Sequence, residues 1–258
     1  MTQLDSERYY AQIAASTADI AALVDGADLT TPIPTCPEWT LRQLATHVGR
    51  GQRWAATIVS TRSAEFIPFR SVPDGRLPDD PAVQAAWLAA GAEQLSAAVR
   101  EAGQDRVWAF AGLTPAAFWA RRMCHETVVH AADAMLAAGR PVGIDADIAA
   151  DGIDEWLTVL TVPEGTEPDQ RAAALPPGRS LHVHATDEGL AGAGEWLLRH
   201  EPDGVQVDRA HGQGDAAVTG PADRLFMVLM RRAPAGDPAL TVYGDASVLA
   251  GWLAGTAF

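Results

Sequence analysis

The sequence predicts an α + α/β protein, with an N-terminal bundle of helices followed by a small C-terminal α/β domain. Three observations carry that prediction. Residues 1–162 repeat apolar positions at helical spacing between marked start and stop signals. The stretch VPEGTEPDQRAAALPPGR then breaks all periodicity with its prolines and glycines. Beyond it, short runs alternate apolar and polar residues as strands do. The expected boundaries are 1–162 for the bundle, 163–179 for a linker and 180–258 for the α/β domain.

Each element has its own signal. From Glu7 to Leu23, Ile13, Ile20 and Leu23 recur with alanines on a helical face. After the loop TTPIPTCPEW, Thr40 and Gln43 are spaced as a capping box, opening a helix that carries Leu41, Leu44, Val48 and Trp54. Asp80-Pro81 is an N-cap followed by proline at the first helical position, and that helix runs to about Arg100. Thr114-Pro115 repeats the signal for a helix to Ala138, stopped by Gly139 and Pro141. A shorter helix, Ile148 to Leu160, is expected to close the bundle. In the second part, strands are expected at Leu181–Ala185, Glu195–Arg199, Gly204–Asp208 and Leu240–Tyr243, with helices from Ala222 to Arg232 and Ser247 to Leu253.

Composition removes several classes of function. The formal net charge is −14, which argues against a nucleic-acid partner, because phosphates require a basic surface. All nineteen basic residues are arginine. A Schiff-base lysine, a pyridoxal phosphate linkage and a Walker A lysine are therefore excluded. Cys36 and Cys124 stand far apart without CxxC spacing, so neither a disulfide framework nor a thiolate cluster is expected. The polar start lacks a signal-peptide pattern and every apolar stretch is soon broken by charge, so a cytoplasmic protein with no membrane partner is expected.

The segment RRMCHETVVHAAD carries the chemistry. Glu126 and His130 are one turn apart, about 40° around a helix, and project from one face. HETVVH resembles the protease motif HExxH but has one residue too many. His125 and His130 diverge by about 140°, and one regular helix cannot present both to one ion. A carboxylate and an imidazole remain as two ligands, and a third must come from a facing helix. His47 is the candidate, as the remaining histidine of the helical part. Three protein ligands leave a coordination position open, as catalytic sites do. The competing reading is bland: the same pair is common on solvated helix faces, and a histidine on an apolar face is commonly a hydrogen-bonded core residue.

CPEWTLRQLATHVGR, HETVVHAAD, ATDEG, AAVTGPADRLFMVLMRR and LTVYGD, in this order, resemble the mycothiol-dependent maleylpyruvate isomerase family over nearly the whole chain. The resemblance implies a DinB-like four-helix bundle joined to a sterol-carrier-like α/β domain. It also implies a zinc-type divalent metal on His47, Glu126 and His130, with mycothiol as cofactor or co-substrate. A thiol of pKa near ~8.5 loses its proton on coordination to such a cation. In the family's isomerase reaction the thiolate adds to the double bond of a cis dicarboxylate and later leaves; in transferase relatives the adduct remains. The expected protein is thus a metal-dependent isomerase or S-transferase acting on a small electrophilic, anionic substrate.

An anion near the metal calls for guanidinium groups. Arg122, one turn before Glu126, and Arg50 and Arg53, after His47, are the candidate catalytic residues, though each fits a solvated surface as well. Cys36, before its helix, and Cys124, about 160–200° from Glu126, are expected to pack, as are Trp39 and Trp54. His182 and His184 share a strand face with no third ligand evident, and GQGDAA runs into a strand-like AVTG, so no dinucleotide loop is expected. The ligand set also describes the iron facial triad. A non-haem iron enzyme or metal-water hydrolase is therefore the second reading, and a non-catalytic metal- or small-molecule-binding module the third.

Overall fold

The computed structural model describes residues 4–161 and 175–256. It divides into two compact units, Leu4–Val142 and Gly143–Phe258. The expected linker at 163–179 lies largely outside the described residues, which resume at Leu175.

The first unit is built on α1 (Ser6–Val24), α2 (Leu41–Ser60), α3 (Pro81–Ala102) and α4 (Ala117–Ala137), with α2 packed chiefly on α3, and α1 on α3 and α4. Local chemistry sets the helix starts. Asp5 caps α1 by accepting from the Arg8 amide at 2.8 Å. Thr40 and Gln43 form the expected capping box of α2, and Asp80 caps α3 ahead of Pro81. Two glycines let α2 and α3 approach closely. A Cβ at Gly49 would lie 2.2 Å from the Trp87 ring, and one at Gly91 would lie 2.6 Å from the Arg53 guanidinium. Ile20, Leu44, Ala45, Val48 and Leu88 fill the interior between them.

Four short strands interrupt the helices. β1 (Pro32–Ile33) pairs with β2 (Cys36–Thr40), and β3 (Arg106–Ala109) with β4 (Gly112–Pro115), both antiparallel. The second hairpin corrects the expected start of α4 at Thr114-Pro115. Thr114 pairs with Val107 across the ladder, and the helix begins only at Ala117. The dipeptide has the composition of a helix start, but Val107 and Ala109 are buried and hold the strand partner in place.

The second unit begins with α5 (Ala146–Thr161), which corrects the expected boundary at 162. Its buried face of Ile148, Ala149, Ile153 and Leu157 packs on α6 (Ala222–Leu229) and β7 (Gly204–Asp208). Asp154 on this helix accepts from the Trp196 indole at 3.3 Å and pairs with Arg209. The apolar stripe alone fits either unit; these partners decide it.

The sheet of this unit contains β5 (Ser180–Ala185), β6 (Glu195–Glu201), β7, β8 (Ala216–Gly220) and β9 (Thr241–Gly244), in spatial order β7-β6-β5-β8-β9. β5 and β8 run parallel and all other neighbours antiparallel. α7 (Ala246–Gly255) completes the unit, capped by Asp245. Leu181, Val183 and Trp196 are buried in its core. The strand-like AVTG lies within β8, which is not among the expected strands. No helix among the described residues is long and apolar enough to cross a membrane.

Candidate metal centre and its cavity

α2 and α4 face one another with His47 on the first and Glu126 and His130 on the second. His47 Nε2 lies 2.9 Å from Glu126 Oε1, and His130 Nε2 lies 3.2 Å from the same oxygen. The three ligand atoms fall within 4.8 Å of one another. Ligands held about 2.0–2.2 Å from a tetrahedral zinc ion are separated by roughly 3.3 Å, so this donor set fits such an ion with little adjustment. His125 points elsewhere: it is buried against Tyr9 on α1, ring centroids 6.2 Å apart.

The neighbours of these groups orient them. Arg122 Nη2 donates to Glu126 Oε2 at 2.7 Å, leaving Oε1 for the two histidines. His130 Nδ1 is 2.9 Å from Asp133 Oδ2. In the neutral imidazole, donation from Nδ1 to that carboxylate leaves the Nε2 lone pair facing the cluster, the arrangement that supports metal-binding imidazoles elsewhere. Asp133 is fully buried and also accepts from Thr35 Oγ1 at 2.6 Å and Cys36 Sγ at 3.5 Å. Cys36 therefore belongs to the support of His130 and is more than a packing residue. The sequence carried a signal for Asp133, which stands one turn beyond His130 on the same helix face.

The electrostatics follow from this geometry. Burial presses Glu126 toward its neutral form. Hydrogen bonds from His130 and His47, with the Arg122 charge, outweigh burial and hold it well below the usual carboxylate range. Burial likewise disfavours charge on His130, but contacts with Asp133, Cys36 and Glu126 prevail and raise the imidazole well above its usual range. A proton and a metal ion thus compete for the same Nε2 lone pair.

His47 opens onto a cavity of about 590 Å³ lined by Trp39, Thr46, Arg50, Phe69, Arg70 and Arg76, among others. The Trp39 ring lies 4.6 Å from that of His47 and 5.4 Å from that of His130, so Trp39 forms a wall of the site. Arg50 donates to the Gly75 carbonyl at 2.7 Å and stacks on Phe69. Burial and the adjoining charges of Arg70 and Arg76 lower its pKa, a sign that positive charge is concentrated here. Arg70 and Arg76 lie on the loop between α2 and α3, where no helical spacing points to them.

Arg53 requires correction. It is 3% exposed, stacks on Trp87 with its guanidinium carbon 4.1 Å from the ring centroid, and donates to the carbonyls of Gly49 and Trp87 at 3.1 and 2.7 Å. Six residues beyond His47, it lies about 120° around α2 and faces α3. Trp54 is buried and donates to the Ile67 carbonyl at 2.7 Å, within a cluster that includes Phe69, Trp108 and Trp119.

Comparison with known proteins agrees with this architecture. The family model described as the mycothiol maleylpyruvate isomerase N-terminal domain matches residues 10–135, and the MDMPI C-terminal domain model matches residues 147–251. No curated protein matches the chain. Two crystal structures share its fold: a mycothiol-dependent maleylpyruvate isomerase and a histidine-to-alanine mutant of it. Their TM-scores are 0.56 and 0.58, each at 17% identity over 95% of this chain and 97% of theirs.

Proposed function

The chain belongs to the mycothiol-dependent maleylpyruvate isomerase family, and on that premise we propose a metal-dependent enzyme that uses mycothiol as cofactor or co-substrate. Its reaction is isomerisation or S-transfer on a small anionic electrophile. The observation that carries this reading is the convergence of His47, Glu126 and His130 beside a cavity lined by arginines. In a protein of net charge −14, that concentration of guanidinium groups calls for an anionic occupant.

The residues divide the work. His47, Glu126 and His130 would hold a divalent ion of the zinc class, which when bound would supply the Lewis acidity that lowers a thiol pKa toward neutral pH. Asp133 holds His130 in the tautomer that binds through Nε2. Arg122 fixes the carboxylate of Glu126 and offsets its charge. Arg50, Arg70 and Arg76 bind and orient the carboxylates of the substrate. Trp39 and Phe69 flank the His47 ring and present apolar surface to the cavity. Isomerase and transferase share the thiolate addition and differ in whether the adduct releases its thiol.

The test combines metal analysis, calorimetric titration with mycothiol and turnover of maleylpyruvate and other electrophiles. One equivalent of metal at this cluster, lost in His47→Ala, with thiol binding only by the loaded protein, is the expected result. A loaded protein that neither binds mycothiol nor consumes it with any electrophile overturns the reading. Oxygen consumption by an iron-loaded preparation shifts it to the oxygenase alternative.

A further inference from the structure

The second unit contains another convergence of ligand-bearing side chains. On β5, His182 and His184 share one face of the sheet, and Glu195 on β6 stands directly opposite His184 in the antiparallel register. His182 Nε2 lies 2.9 Å from Glu195 Oε2, and His211 Nδ1, from the segment before β8, lies 2.7 Å from the same oxygen. His184 Nε2 lies 3.8 Å from Glu195 Oε1, beyond hydrogen-bond reach but facing the same carboxylate. The three imidazole centroids stand 5.2 to 6.1 Å from one another.

The backbone explains how His211 reaches the sheet. A Cβ at Gly212 would lie 2.3 Å from Leu197 Cδ2, and one at Gly214 would lie 2.6 Å from the Ala216 carbonyl oxygen and 3.0 Å from the His182 amide nitrogen. The two glycines of HGQGD therefore let this segment lie flat across β5 and β6. Asp215 fixes its far end by accepting from the Ser180 amide and hydroxyl at 2.8 and 2.7 Å. The GQG sequence thus serves close approach to the strands, and what it delivers there is an imidazole.

We propose that His182, His184, His211 and Glu195 form a second divalent-metal site, separate from the one on α2 and α4. The ligand atoms of His182, Glu195 and His211 fall within 4.8 Å of one another, the same convergence as in the first cluster. His182 is 4% exposed, so the site has a rigid inner ligand, while the His211 side chain is 75% exposed and leaves an entry path. Three imidazoles with one carboxylate suit zinc, nickel or copper(II) and not magnesium or calcium, which favour all-oxygen shells. This site does not depend on the thiol chemistry proposed for the first.

Cobalt(II) titration of the metal-stripped full chain tests it, with d–d absorption and elemental analysis after dialysis as readouts. The expected stoichiometry is two ions, with one retained when His47→Ala and His130→Ala are combined. Adding Glu195→Gln and His211→Ala to that variant should remove the remaining ion. Glutamine preserves shape at 195, and His211 is exposed, so melting curves should match the parent. An ion that survives the first pair of changes and is lost with the second supports the second site, even if the first cluster proves not to bind metal. No ion after the first pair, or an ion that persists after all four changes, overturns the proposal.

Discussion

Asp133→Asn isolates the contribution of a residue that would act on the proposed ion only through His130. Asp133 is fully buried, and its two oxygens accept from His130 Nδ1 at 2.9 Å, Thr35 Oγ1 at 2.6 Å and Cys36 Sγ at 3.5 Å. Asparagine keeps the shape and one acceptor oxygen; its amide nitrogen must then face an oxygen, and the Thr35 hydroxyl can rotate to accept. What is lost is the charge that makes the imidazole a stronger ligand. Removing such a support lowers metal affinity about 10- to 100-fold, or about 1.4–2.7 kcal/mol at 1.36 kcal/mol per decade.

The size of the loss should depend on pH in a defined direction. Asp133 is the leading favourable cause of the raised His130 pKa, so asparagine lowers that pKa and weakens the competing proton. The affinity deficit is then largest in alkaline buffer and narrows as the pH falls. Competition against a chromophoric zinc chelator across pH measures it, with thermal melts confirming that the fold survives. A variant that melts normally and binds zinc within about twofold of the parent in alkaline buffer refutes the reasoning, because a supporting carboxylate is worth more than that.

Metal uptake by the parent chain should release protons and weaken steeply toward acid, measurable by titration in buffers of different ionisation enthalpy, because the His130 pKa is raised well above the usual imidazole range. In the stripped chain that raised pKa stabilises the fold below the unfolded value near 6.5, and the contribution is lost as pH rises through the folded value. Glu126 acts oppositely: its lowered pKa stabilises above 4.5 and is lost as pH falls through the folded value, so melts should decline at both ends. Arg50→Ala should raise KM for an anionic substrate about tenfold or more at low salt, less at high salt, without a comparable loss of melting temperature. Arg53→Ala should do the reverse, costing about 2–4 kcal/mol of stability by denaturant unfolding through its lost carbonyl hydrogen bonds and Trp87 stack. Gly49→Ala, whose Cβ would press on the Trp87 ring, should cost about 1–3 kcal/mol in the same measurement.

The parts of the site that local spacing governs could be read from the sequence. Glu126 and His130 share a helix face because one turn fixes their directions, and the capping box at Thr40 and Gln43 fixes where α2 begins. By the same rule Asp133 could be read, and so could the turning of Arg53 away from His47. Long-range packing hid the rest. Glu195 stands opposite His184 through strand register, and His211 arrives on a segment held against the strands by two glycines. The apolar face of α5 is equally consistent with a bundle or a sheet, and its place in the second unit rests on partners such as Trp196 and Arg209. Thr114-Pro115 shows the limit of a start signal, since a ladder partner overrode it.

Charge illustrates the same separation between whole-chain and local properties. A net charge of −14 works against binding an extended polyanion, yet it does not work against a small dianion, because the potential inside a cavity is set by the groups within a few ångströms. At the mouth of this cavity Arg42 is paired with Asp79 at 3.2 Å, whereas Arg50 donates to a neutral carbonyl and retains its charge. With Arg70 and Arg76 beside it, the cavity stays positive inside an acidic protein. The proposed metal ligands sit on two packed helices, while Arg70 and Arg76 sit on the segment that joins α2 to α3. Substrate choice in this chain should therefore follow the loop, and metal choice the helices. Exchanging Arg70 and Arg76 together for glutamine is the change that should reduce anion binding while leaving the zinc affinity of the His47, Glu126 and His130 cluster intact.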